Sequence, residues 1–243
     1  DLHLCDRRQR QMCIRDSKYT ITKSKCQTKV LLQFSTIYSI IKTVLNYILR
    51  RTNLNRIFCI VGKSGSGKDT IYNKIINQYK TKLIPVIPFT TRPKRADEKN
   101  GVNYFFVSKA QMNDYAKNNK IIEKRQYNTI QGVWDYFTLK FDVTDNNDYI
   151  LITTLEGAHG IIKEYGSETV HIIYLYLDDK ERLIRCINRE AVQENPDYTE
   201  ICRRFIADQH DFSDENLRRF KNIHYINTCL LYTSPSPRDY AAS

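Results

Sequence analysis

From Arg56 onward the chain alternates between short apolar runs and stripes of apolar residues at helical spacing. IFCIV (57–61) is an unbroken apolar run ending at a glycine, which predicts a buried strand. Lys68–Tyr79 then carries apolar residues at 71, 72, 75, 76 and 79, one face of a helix. LIPVIPF (83–89) is a second strand candidate, interrupted by prolines, and NYFFVS (103–108) a third, with Ser108 placed to cap a helix through about residue 118. IIEKRQY (121–127) and VWDYFTL (133–139) predict a hairpin-like β pair around Gly132. YILITTL (149–155) and VHIIYLYL (170–177) read as buried strands. The first is followed by a helix over EGAHGIIKEYG (156–166), the second by one that Asp178 caps and that runs to Arg189. YTEICRRFIADQHDF gives a further helix and IHYIN (223–227) a last strand. Strands alternating with helices predict an α/β fold, a parallel sheet flanked by helices on both faces.

The segment 18–55 has apolar residues at Val30, Leu31, Phe34, Ile37, Tyr38, Ile41, Val44, Leu45 and Ile48, the spacing of an amphipathic helix. No methionine lies between Met12 and Met112, and untranslated AT-rich DNA also yields Ile, Lys, Tyr and Asn, so a native helix and a translated leader both stay open. The two ends read differently again. RRQRQMCIRDS (7–17) and CLLYTS (229–234) back-translate into DNA strings of which one is the reverse complement of part of the other. One DNA element facing inward from both ends explains this; it resembles a transposase sequencing adapter, continued by PSPRD (235–239). Residues 1–17 and 229–243 are therefore expected to be adapter-derived and are set aside from fold reasoning.

With 243 residues, 41% of them hydrophobic and 27% charged, the chain suits one sizeable globular domain or two small ones. No apolar run reaches the roughly 18 residues of a membrane span, and no apolar signal-peptide core is present. Seven cysteines form neither a C-x-x-C pair nor a disulfide framework, so a reduced, cytoplasmic setting is expected, with Cys59 in the core. The net charge of +11 invites a nucleic-acid partner. Against that, the basic residues gather at phosphate-site motifs, and runs of aromatic residues suited to base stacking are absent.

The first of those motifs is GKSGSGKDT (62–70), between a strand and a helix as a phosphate loop G-x-x-x-x-G-K-[ST] requires. Gly62, Gly65 and Gly67 let backbone N–H groups turn inward around a polyphosphate, with Lys63, Ser64 and Ser66 between them. Lys68 reaches the phosphates as a point charge. The eighth position, where the motif has a hydroxyl to ligate magnesium, is Asp69. A carboxylate is a hard oxygen ligand that suits Mg²⁺, and the adjacent Thr70 could supply the hydroxyl instead. We read this as a working loop for ATP with Mg²⁺ on Asp69, against the plainer reading of a glycine-rich turn.

The second motif is TTRPKRADEKNGVNYFFVS (90–108). It resembles the monophosphate-binding region of guanylate kinases, T-T-R-x-P-R-x-G-E-x-x-G-x-x-Y-x-F-V-S, at Thr90, Thr91, Arg92, Arg95, Glu98, Gly101, Tyr104, Phe106, Val107 and Ser108. The proline is displaced to Pro93 and Asp97 replaces a glycine. Two guanidinium forks and a phenol can bind one phosphate dianion. The resemblance runs from about Ile57 to Asn227 and implies a P-loop kinase fold. It divides a domain at 56–228 into a small β-containing monophosphate-binding region (about 89–140) and an Arg-rich lid (about 185–205). It also implies a further C-terminal helix beyond the last strand, so the encoded protein is expected to be longer than this chain.

By the same resemblance, IIEKRQY contributes a base-reading carboxylate at Glu123, and YFT (136–138) contributes phosphate or base contacts at Tyr136 and Thr138. LIRCINR contributes lid arginines Arg185 and Arg189, and ICRRF adds Arg204; with Lys68 these are the expected catalytic groups. Arg203 reads as solvated. The family reads guanine also with a hydroxyl two residues before T-T-R and with an Asp ending the strand before the x-x-G turn; here those positions hold Pro88 and Thr154. The expected function is transfer of the ATP γ-phosphoryl to GMP or dGMP, with guanine selectivity blunted by those two replacements. The expected partners are ATP and the monophosphate, without nucleic acid or membrane, on a monomer or weak oligomer. The alternatives are a monophosphate kinase of altered base specificity and a non-catalytic guanylate kinase-like module that recognises phosphopeptides; an intact Lys68 and the arginine-rich lid argue against the latter.

Overall fold

The computed structural model describes residues 55–79, 83–95, 98–129, 132–143 and 147–228. The proposed N-terminal helix and both adapter-like ends lie outside them. Strand β1 (Ile57–Val61) is buried at every position because it lies at the centre of a five-stranded sheet, all of whose pairings are parallel. Its neighbours are β7 (Asp148–Ile152) on one side and β8 (Val170–Tyr176) on the other, with β2 (Leu83–Pro85) and β9 (Ile223–Asn227) at the edges. A parallel sheet covered on both faces explains why these strands are runs of Ile, Val, Leu and Phe rather than alternating patterns. At the lower rim Arg56 grips Asp148 with two parallel bonds, Nε to Oδ1 at 3.0 Å and Nη2 to Oδ2 at 2.7 Å, tying β1 to β7.

The covering helices are α1 (Lys68–Gln78), α3 (Leu155–Tyr165), α4 (Asp179–Glu190), α5 (Tyr198–Asp211) and the short α6 (Asp214–Leu217). Helix α2 (Lys109–Lys117) belongs to the second sheet and starts in a full capping box: Ser108 Oγ accepts from Gln111 N, and the Gln111 side chain returns to Ser108 N. That sheet has four strands in the order β4 (Phe105–Phe106), β3 (Phe89–Thr90), β6 (Gly132–Leu139), β5 (Ile121–Thr129). The rings of Phe89, Phe105 and Phe137 stack at 4.7 and 5.4 Å to form its small core.

Three expected segments differ in extent. LIPVIPF is not one strand: Leu83–Pro85 joins the large sheet and Phe89 the small one. The chain makes its last large-sheet bond from Val86 N to Ile150 O, and Pro88, which has no N–H to give, falls at the crossing between sheets. NYFFVS shrinks to Phe105–Phe106, beside Phe89–Thr90. YILITTL stops as a strand at Ile152, and Thr154 is instead the N-cap of α3, its Oγ1 accepting from Gly157 N at 3.1 Å. Among the described residues no helix is long and apolar enough to cross a membrane.

Candidate active site

The phosphate loop leaves β1 at Gly62 and enters α1 at Lys68, at the carboxyl end of the central strand. Gly65 has φ +81°, and a Cβ there would sit 2.6 Å from Arg182 O, so the loop can pass α4 this closely only as glycine. The outer side of the loop is fastened to α5: Ser64 N donates to Asp208 Oδ2 at 2.7 Å, and Lys63 Nζ to Gln209 Oε1 at 2.6 Å. Asp208 is held in turn by Arg182, which is fully buried, bonds Asp179 at 2.6 Å and lies 3.9 Å over the ring of Phe205. Lys63 and Ser64 are thus occupied with bracing the loop. Sequence reasoning missed Arg182 and Asp208, which look like ordinary charges on helical faces.

Lys68 Nζ donates to Gly62 O at 2.7 Å and to Lys63 O at 3.1 Å. Burial holds its pKa below the usual lysine value, and the nearby charge of Arg189 pushes the same way, while Asp69 and Asp208 oppose them. Of the three arginines expected in a lid, Arg189, itself exposed, is the one whose field reaches the loop lysine. Arg185 instead donates to Thr228 O at 3.4 Å, and Arg204 donates to Glu200 at 2.6 Å alongside Arg203. Asp69 stands exposed in the first turn of α1 with Thr70 behind it, half-buried. Ser66 is buried within the loop. Among the described residues no cluster of three His, Cys, Asp or Glu could hold a metal alone. A single exposed carboxylate beside a phosphate loop does fit Mg²⁺, which keeps waters and takes most of its remaining ligands from substrate phosphates.

Across from the loop, the small sheet carries the second cluster. Arg92 donates Nε to Tyr136 Oη at 3.0 Å and Nη2 to Glu98 Oε1 at 2.6 Å, and its guanidinium lies 5.8 Å from the centre of the Tyr104 ring. Burial opposes the charge of Arg92, but Glu98 and Tyr136 outweigh it and hold its pKa above the usual arginine value. Glu98 Oε2 also accepts from Arg95 N at 2.9 Å, so one carboxylate shapes the loop that presents both arginines. Arg95 itself is exposed. Burial raises the pKa of the Tyr104 hydroxyl, and the fields of Tyr136 and then Asp69 raise it further. Asp69, on the loop side, and Tyr104, on the sheet side, are therefore electrostatic neighbours.

Behind this cluster, β5 and β6 pair Glu123 with Thr138 and Arg125 with Tyr136. Glu123 is buried. Its Oε1 accepts from Thr138 Oγ1 at 2.7 Å and from Arg125 Nη2 at 3.1 Å, and its Oε2 from Arg125 Nε at 2.9 Å. Arg125 Nη1 donates to Thr154 Oγ1 at 3.1 Å. Thr138 is buried and acts on Glu123 rather than facing open space. Arg125 is the residue sequence reasoning missed here, although a signal existed: two places along a strand from Glu123, it must share that residue's face.

Residues 54–133 match the family model for guanylate kinase. A guanylate kinase of Mycoplasma genitalium is 28% identical over 180 residues, 72% of this chain and 70% of the relative. A guanylate kinase of Mycoplasmoides gallisepticum is 31% identical over 135 residues, 55% of this chain. The crystal structure of guanylate kinase from Anaplasma phagocytophilum covers 72% of this chain and 78% of its own, at 18% identity and a TM-score of 0.47. The chain thus spans about two thirds of the length of the curated relatives it matches, 68% in the Mycoplasmoides case at 31% identity, and it belongs to the guanylate kinase family.

Proposed function

We propose that the chain transfers the γ-phosphoryl group of ATP to GMP or dGMP, giving ADP and GDP or dGDP. What supports this is a loop of phosphate-binding form that keeps Lys68, together with an Arg92–Tyr104–Tyr136 group already tied by the bond from Arg92 Nε to Tyr136 Oη. The field of Asp69 contributes to the raised pKa of the Tyr104 hydroxyl, which suits two neighbouring clusters. A donor triphosphate on one and an acceptor monophosphate on the other is the arrangement that phosphoryl transfer requires. The relatives named above, all guanylate kinases, support the choice of acceptor.

In this reading the protein supplies positioning and electrostatics, with no covalent intermediate. Backbone N–H groups of the loop and the N-terminus of α1 cradle the donor phosphates. Lys68 leaves its two carbonyl partners to meet the transferring group, and its partial desolvation strengthens that contact. Arg92, Arg95 and Tyr104 hold the acceptor phosphate, with Glu98 and Tyr136 fixing the arginine fork before substrate arrives. Arg189 closes from the lid; Arg204 joins it by exchanging Glu200 for phosphate, and Arg185 steadies the lid against Thr228. Mg²⁺, held by Asp69 and the phosphates, would neutralise charge on the donor. A coupled assay of ADP formation tests the proposal: ATP with GMP should turn over, and Lys68→Ala should lower the rate by about two to three orders of magnitude. Turnover in Lys68→Ala equal to wild type would overturn it.

A further inference from the structure

The base end of this site is built for a different edge of the purine. This inference rests on the purine-monophosphate reading above. The resemblance places two acceptors against the donor groups of guanine, at Glu123 and at the position held by Thr154. Neither is free. Both Glu123 oxygens accept from Arg125, and Oε1 takes a second bond from Thr138. The Glu123 side chain is 4% exposed, and a Cβ on Gly157 would lie 3.4 Å from Oε2, so helix α3 packs close against the carboxylate. Thr154 Oγ1 accepts from Gly157 N and from Arg125 Nη1, which uses both of its lone pairs.

The group left to read the base is the guanidinium of Arg125, which the β5–β6 register sets opposite Tyr136, the partner of Arg92. It has five N–H donors, of which the bonds to Glu123 and Thr154 take three. Of the two left, the Tyr127 hydroxyl is close enough to engage one, and the Tyr127 ring packs 5.5 Å from that of Tyr136. The donor that remains pairs with the O6 acceptor of a 6-oxopurine and is repelled by the 6-amino donor of adenine. The donor that Pro88 cannot give is replaced by this one.

We propose that Arg125 is the base-reading residue, selecting the 6-oxo edge of the purine and leaving the 2-amino group unread. The site then takes IMP as well as GMP: the γ-phosphoryl of ATP passes to an oxygen of the IMP phosphate, giving IDP and ADP. AMP, whose 6-amino group is a donor, is disfavoured by the same N–H.

The test compares kcat/KM for GMP and IMP in the full chain, wild type and Arg125→Ala, with thermal melting run on both. Wild type should use the two substrates within about tenfold of each other. Arg125→Ala releases Glu123 to accept from N1–H and the 2-amino group, so its preference for GMP over IMP should rise by roughly tenfold or more. If wild type favours GMP by more than that margin, or if the ratio is unmoved in a folded Arg125→Ala, the assignment to Arg125 is wrong while the kinase reading stands. Should the variant fail to fold, the wild-type ratio alone decides. An enzyme that phosphorylates neither GMP nor IMP would remove the kinase reading, and this one with it.

Discussion

The ammonium of Lys68 rests on Gly62 O and Lys63 O, two carbonyls of its own loop, so its charge is already aimed where phosphate would sit. Lys68→Ala removes that charge without opening the sheet behind it. We expect turnover to fall by about two to three orders of magnitude, with the far-UV spectrum unchanged. Asp69 carries a separate prediction because it faces solvent rather than core. Asp69→Asn should raise the magnesium concentration needed for half-maximal rate; an unchanged titration would move the metal to Thr70 or to the phosphates alone. Lys68 and Asp69 can be singled out from sequence because the loop motif fixes type and spacing together, and Arg92, Arg95 and Tyr104 for the same reason. The contacts of Arg125 with Glu123 and Thr154 could not be read there, since a lone arginine in a polar strand resembles any solvated cation until its register is known.

Helix α3 meets strand β5 so closely that two glycines on one helical face decide the fit. A Cβ on Gly160 would lie 2.7 Å from the Cβ of Glu123, and one on Gly157 would lie 3.4 Å from Glu123 Oε2. In an open helix Gly→Ala gains about 1 kcal/mol of propensity. Overpacking against a fixed neighbour costs about 1–3 kcal/mol. For Gly160→Ala the neighbour is the root of a buried side chain rather than a flexible tip, so the cost should win. We expect a lower melting temperature together with a raised KM for the monophosphate, because the strand pushed away carries Glu123 and Arg125. A stabilised variant with unchanged KM would show that β5 can retreat freely. Helices and central strands were readable from periodicity, including the Ser108 cap. The path of LIPVIPF was not, because an apolar run does not say which of two sheets receives each half.

At the scale of the whole molecule, charge organises both ends of the large sheet. The carboxyl end holds the phosphate loop. At the other end, His171 packs near Arg56, Phe58 and His224, and burial, then the field of His224, then that of Arg56 lower its pKa to about 4. The unfolded chain binds a proton at His171 near the ordinary histidine value, whereas the folded chain resists it down to about 4. Stability should therefore be fully present above about pH 6.5 and decline as pH falls toward about 4. Melting curves across that window should flatten in His171→Gln; identical slopes would clear His171 of the effect. The sequence showed this histidine in a strand but not that a second one, on β9, would stand beside it.

The central claim is phosphoryl transfer to a purine monophosphate, and it is tested most directly by identifying the nucleotide product. Purified full chain, given ATP, Mg²⁺ and an equimolar mixture of GMP, dGMP, AMP and dTMP, should form GDP and dGDP first, resolved by chromatography, with ADP appearing in step. GMP should lead AMP and dTMP, though less sharply than two intact guanine acceptors would enforce. A product mixture dominated by dTDP, or by ADP in excess of what the guanine diphosphates require, would contradict the guanine assignment. No diphosphate formed from any of the four would contradict the account as a whole.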